Sequence, residues 1–159
     1  MSATEILDTG VEMARIKVIR ALEPYILEVT WAEGGRAGMT DRVDLAPAVL
    51  SYKIYRPLRN DPELFRTARL EEDGDVVAWD GVDLEMTADL VETLADQIMT
   101  PKGFRQFLER NNLTQDAAGA ILGRSRRQIG YYLTIGPIPR VIALACYGYE
   151  ARLRGRAAA

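Results

Sequence analysis

The sequence predicts an α+β fold, with a small antiparallel α+β domain followed by an all-α domain of short helices. Three observations carry this. Short runs rich in β-branched and aromatic residues, set between turn residues, fill the first part of the chain. Capped stretches with helical periodicity fill everything after Pro101. The charge also reverses at that point. The 159 residues carry a formal net charge of −3, which taken whole speaks against nucleic acid. Residues 1–100, however, hold 10 Lys+Arg and 20 Asp+Glu, a net of −10. Residues 101–159 hold 10 Lys+Arg and 3 Asp+Glu, a net of +7. A reversal this sharp, coinciding with a change of texture, predicts two domains, 1–100 and 101–159, with different partners.

In the first domain, Ile16–Leu22 and Tyr25–Trp31 read as strands separated by Glu23-Pro24, and Glu33-Gly34-Gly35 follows as a turn. Arg42–Leu45 reads as the end of a third strand closed by Pro47. Residues 47–64 contain Pro47, Pro57 and Pro62 and can hold only short helices or loops. Phe65–Leu70 and Val76–Trp79 read as two more strands, with Asp73-Gly74 as a tight turn between them. No gap between strands has room for a long crossover helix, so the pairing is antiparallel. Met86, Leu90, Leu94 and Ile98 then recur every four residues, opposite Asp89, Glu92 and Asp96, and predict an amphipathic helix. Thr100-Pro101 is a good N-cap followed by a good first helical residue.

In the second domain, Phe104, Phe107 and Leu108 give a helical apolar face that ends at Asn111-Asn112. Thr114 caps a helix over Gln115–Leu122, and Gly123 stops it as a left-handed C-cap. Ser125-Arg-Arg-Gln128 fits a capping box and starts a third helix, Arg126–Leu133. Gly136-Pro-Ile-Pro139 ends that helix and starts a fourth, whose Val141, Ile142, Leu144 and Ala145 are expected to pack inward. The final Arg152–Ala159 is expected to fray, and Arg152, Arg154 and Arg156 read either as a basic tail near DNA or as a solubilising end. Two helices joined by a three- or four-residue turn containing Gly form a helix-turn-helix. Gly119 is small where the helices cross, and Leu122, Ile129 and Leu133 can bury between them. The second helix is left with Arg126, Arg127, Gly130 and Tyr131 on its outer face. A recognition helix presents such residues to base edges in the major groove, where Arg pairs bidentately with guanine. Helix N-termini, with Gln115 at one of them, suit phosphates.

Leu113–Leu133, with its Thr114-Gln115 start, its Leu122-Gly-Arg-Ser125 turn and Ile129 in register, resembles the phage-repressor (Cro-like, lambda-repressor-like) class of DNA-binding helix-turn-helix domains. The resemblance covers about the last 55 residues. It implies base contacts from Arg126, Arg127 and Tyr131 and a phosphate contact from Gln115. Gly119 stands where many members carry Ala, a departure expected to be harmless. Arg124 stands where the turn usually has an apolar residue, and is expected to reach the DNA backbone instead of packing. Residues 14–96 resemble a bacterial domain family of unknown function, through Tyr25–Trp31, Val43-Asp-Leu45, Pro57-Leu-Arg59, Phe65, Val77-Ala-Trp79 and Asp83-Leu84. Members are small, often stand alone, are frequently encoded beside a small partner protein, and are in some cases fused to a helix-turn-helix. The resemblance implies an antitoxin-like role and carries over no catalytic residue.

These readings predict a sequence-specific DNA-binding protein, a bacterial transcriptional regulator or antitoxin-like autoregulator. Arg126, Arg127, Tyr131 and Gln128 are the expected base contacts, although Gln128 fits its capping role equally well. Gln115, Arg124, Ser125 and Lys102 are the expected phosphate contacts, with Arg105 a further candidate. A solvated basic face would look the same, so the competing expectation is a protein-interaction module whose helix-turn-helix never touches DNA. The expected partners are double-stranded DNA, a second copy of the chain, and a small basic protein at the acidic domain. The expected location is the cytoplasm. The chain contains no His and one Cys, which excludes a Ser-His or Cys-His dyad, an imidazole-bound metal and an internal disulfide. An enzyme in the first domain is therefore the least favoured class, and no catalytic residue, metal ligand or cofactor is assigned. No apolar run approaches the ~20 residues that span a bilayer. The acidic start Met1–Asp8 is not expected to be a signal peptide. Trp31, Trp79 and Cys146 are expected in cores. The acidic run Glu71–Asp75 falls short of a calcium-loop spacing and reads as a solvated hairpin tip.

Overall fold

The computed structural model describes residues 12–157, so the acidic start Met1–Asp8 and the last two alanines lie outside the described residues. The chain divides into two compact units, Met1–Ala95 and Asp96–Ala159. Together they give the α+β class. The division falls five residues before Pro101, because Met99 belongs to the second core and the Tyr147 hydroxyl donates to the Asp96 carbonyl.

The first unit holds two antiparallel meanders of three strands each. Strands β1 (Arg15–Glu23), β2 (Ile26–Glu33) and β3 (Thr40–Asp44) form one sheet. Central β2 alternates strictly, burying Leu27, Val29 and Trp31. The Trp31 indole donates to Asp41 at 2.8 Å, which satisfies its buried N–H. The proline-rich segment folds as short helices, as its composition dictates: α1 (Ala46–Val49), a 3-10 turn over Lys53–Leu58, and α2 (Pro62–Phe65). Strands β4 (Arg69–Glu71), β5 (Val76–Ala78) and β6 (Glu85–Thr87) form the second sheet, and helix α3 (Ala88–Ala95) closes the unit.

Phe65 is not in a strand. Asp61 caps a helical turn by accepting from the Leu64 N–H at 3.0 Å, and Pro62 starts it, so Phe65 ends α2 and the strand is confined to Arg69–Glu71. Met86 is not helical. It pairs with Val77 in β6, where Leu84, Met86 and Ala88 are buried and Glu85 and Thr87 exposed. The four-residue recurrence of Met86 and Leu90 was therefore a strand running into a helix. Helix α3 buries Ala88, Val91, Leu94 and Ala95, whereas Ile98 lies beyond it and is 40% exposed. The Asp73-Gly74 turn is part of a 3-10 turn over Glu72–Gly74, and Gly74 is buried against β1.

The second unit is all-α: α4 (Pro101–Arg110), α5 (Gln115–Leu122), α6 (Arg126–Thr134) and α7 (Arg140–Ala157). Phe104, Phe107, Leu108, Ala118, Leu122, Ile129, Tyr132, Ile142, Ala143 and Cys146 form its core. Helix α7 does not fray at Arg152 but continues through Ala157. It turns Ile142, Ala143 and Cys146 inward, and Val141, Leu144 and Ala145, expected inside, are exposed. A run that is apolar all round does not reveal which of its faces meets the core.

Candidate nucleic-acid interface

Helices α5 and α6 and their three-residue connection Gly123–Ser125 form the helix-turn-helix. Each end is fixed by a local hydrogen bond. The Thr114 hydroxyl accepts from the Ala117 N–H at 3.1 Å. Gly123 takes the left-handed conformation (φ 65°, ψ 40°), and its N–H returns to the Gly119 carbonyl. The capping box at α6 is complete: the Gln128 N–H donates to Ser125 Oγ at 3.2 Å, and the Ser125 N–H donates to Gln128 Oε1 at 3.1 Å. Ala118, Leu122 and Ile129 fill the space between the helices, with Leu133 half-buried beside them. Tyr132, which the sequence reading left out, is buried too, with its ring edge-on to Phe104 at 5.7 Å.

Gly119 is more than a harmless departure. A β-carbon there would stand 2.5 Å from the Arg124 carbonyl oxygen, so the turn crosses α5 at a distance that only glycine permits.

The expected DNA contacts converge on this motif, with two exceptions, both on α4. Arg127 and Tyr131 lie four residues apart on α6, both exposed, and so share its outer face. Arg126 points along the flank toward α5, with its guanidinium 3.4 Å from the Asp116 carboxylate and the pair about 70% exposed. Gln115, the first residue of α5, faces Gly130, where a β-carbon would meet its Oε1 at 3.8 Å. The Gln128 carbonyl is occupied by the cap, which leaves only its amide NH2 for an external partner. Ser125 is likewise committed through Oγ. Arg124 is half-buried and folds back onto the Gly123 carbonyl at 3.1 Å. Lys102 lies apart, exposed in the first turn of α4. Arg105 also leaves the candidate surface, because it donates to the Leu133 carbonyl at 2.9 Å and so caps the end of α6.

Sequence reasoning missed one feature. Pro137 and Pro139, read only as punctuation, line an open groove together with Arg127, Gln128, Tyr131 and Tyr132. The sequence signal was present in the spacing of the prolines, but nothing in it told which helix they would face.

Away from the motif, Arg110 grips Glu150 with two bonds, 2.7 and 3.2 Å, and the guanidinium holds that carboxyl below its ordinary range. Trp31 and Trp79 are buried, and the Trp79 indole donates to the Phe65 carbonyl at 3.0 Å. Cys146 is buried, and desolvation pushes its thiol up to about 12. Among the described residues no group of three or more His, Cys, Asp or Glu is placed to hold a metal ion. In the acidic run Asp75 is paired with Arg15 at 3.0 Å. Among the described residues no helix is long and apolar enough to cross a membrane.

No protein-family model and no curated protein matches the chain. Among solved structures it is similar to the crystal structure of a candidate DNA-binding protein from Nitrosomonas europaea, at 31% identity over 87% of this chain and 88% of that one, with a TM-score of 0.44.

Proposed function

We propose that the second unit binds double-stranded DNA and places α6 in the major groove. The observation that carries this reading is the outer face of α6. Arg127 and Tyr131 stand there exposed and adjacent, on a helix held by its capping box at one end and by Arg105 of α4 at the other, and joined to α5 through a three-residue turn. Residues 96–159 carry a net charge of +6, which suits a phosphate surface. In this reading Arg127 and Tyr131 contact base edges, and Arg126 contacts a base or phosphate after leaving Asp116. The Gln128 amide NH2 is a further donor. Gln115, at the start of α5, positions the motif on the backbone with Ser125 and, after leaving the Gly123 carbonyl, Arg124, while Lys102 on α4 offers a separate phosphate contact.

The protein then acts as a sequence-specific regulator in the manner of phage repressors, as a homodimer on two half-sites about one helical turn (~34–36 Å) apart. Residues 1–95, net −9, repel DNA and attract a small basic protein, which gives an antitoxin-like autoregulator. No catalytic step is assigned.

Selection of bound duplexes from random DNA by the full chain, followed by fluorescence anisotropy on the winner, tests the reading. The expected result is an enriched site with two-fold symmetry, bound more weakly by Arg127→Ala by ~1–3 kcal/mol. If no sequence is enriched, or if Arg127→Ala is silent, the helix-turn-helix serves another purpose and the protein-interaction module takes its place.

A further inference from the structure

The groove beside α6 has a composition that selects its occupant. Its lining includes Gln128 and the ring of Tyr132, which stands edge-on to Phe104 at 5.7 Å. Pro137 and Pro139 line it too, with Tyr131, whose ring meets that of Tyr132 at 6.3 Å and stays 43% exposed. Part of this lining is preset: two prolines have fixed φ, Tyr132 is buried, and Arg105 ties the Leu133 carbonyl near the end of α6. No carboxylate lines the groove, and the charged group at its mouth is Arg127. Arg127 and Tyr131 also belong to the outer face of α6, so the groove is continuous with the surface that reads base edges.

In the major groove of DNA the base pairs offer donors, acceptors and one apolar group, the thymine C5-methyl. An apolar slot next to an arginine therefore matches a thymine beside a guanine, with the methyl against Tyr131 and Tyr132 and the guanine O6 and N7 on Arg127. The geometry points to a thymine-methyl subsite formed by Tyr131, Tyr132, Pro137 and Pro139 that fixes the base next to the one Arg127 reads. The inference rests on the DNA-binding reading above and adds to it a base preference and the residues that impose it. Two sources of the methyl are distinguishable by experiment, since 5-methylcytosine carries the same group at the same position.

The test uses the full chain and the duplex it selects from random DNA. Each dT is replaced singly by dU, which removes only the methyl, and the affinity is measured by anisotropy. One dT per half-site, adjacent to a guanine, should cost about fourfold on replacement, the worth of one buried methyl group. Exchanging that pair for C·G should weaken binding, and 5-methylation of the new cytosine should recover about the same fourfold. Tyr131→Ala should abolish the dU penalty, while Tyr131→Phe should keep it. The Tyr131 ring is exposed, so both variants should retain the far-ultraviolet spectrum of the parent. A selected duplex insensitive to dU at every position, or a penalty that survives Tyr131→Ala, would overturn the subsite and leave DNA binding standing. If no duplex is selected at all, the DNA reading falls and the subsite with it.

Discussion

Single residues decide several features that composition does not announce. Gly74 has φ +95°, and a β-carbon on it would collide with the Ile16 carbonyl oxygen of β1. Gly38 has φ +80° with open space around it. Gly74→Ala should therefore lower stability by at least about 2 kcal/mol, from strain and overpacking together. Gly38→Ala should cost about 1 kcal/mol. Equal losses in chemical denaturation would refute the close-approach argument. Gly119→Ala should destabilise the second unit, because the Arg124 carbonyl cannot retreat without opening the turn. Cys146, buried and with its thiol raised to about 12, should not react with a disulfide reagent at pH 8 until the chain is unfolded. Rapid labelling of the native protein would contradict its placement. The sequence showed that the turn before α6 needed Gly123, because left-handed caps have a strong residue preference. It did not show the need at Gly74, because that close approach is to Ile16, distant in the chain, nor at Gly119, because that one depends on how closely the Arg124 carbonyl of the turn crosses α5 rather than on any single-residue preference.

At the level of elements, the helix-turn-helix was legible because its signals are local. Thr114, Gly123, Ser125 and Gln128 each act within a few residues, and the three caps they make all form. Ser125→Ala should cost about 1 kcal/mol through the α6 cap. Arg127→Ala should leave the melting temperature unchanged, since the side chain is exposed, and should act only on DNA affinity. A stability loss from Arg127→Ala of the size seen for Ser125→Ala would show that its role is structural. The tie between α4 and α7 is pH-dependent. Arg110 lowers the pKa of Glu150, so the ionised carboxylate stabilises the folded state. This contribution is complete above the ordinary carboxyl value of 4.5 and is lost as pH falls through the lowered folded value. Glu150→Gln should therefore destabilise the protein at neutral pH and flatten its acid sensitivity. A variant that loses stability as steeply as the parent in acid would rule the pair out as a source of that sensitivity. Phe65 and Met86 were misread for one reason. In elements of three or four residues, capping and sheet pairing outweigh propensity and period, and no pattern has room to repeat.

At the scale of the whole molecule, charge is distributed by unit: −9 over residues 1–95 and +6 over residues 96–159. Binding to the selected duplex should weaken roughly a hundredfold or more between 50 and 200 mM salt, as its phosphate contacts release counterions. An affinity flat across that range would count against a phosphate-bound surface. The sequence by itself determined the α+β class, the change of texture near residue 100, the helix-turn-helix with its caps, and the segregation of charge. All of these follow from composition, from short-range hydrogen bonding, or from periods that repeat within one element. The tertiary structure alone decided which face of α7 is buried and that Arg105 turns to the Leu133 carbonyl rather than outward. Each of these depends on which surfaces meet across long separations in the chain. That is a property of packing, and no local pattern encodes it.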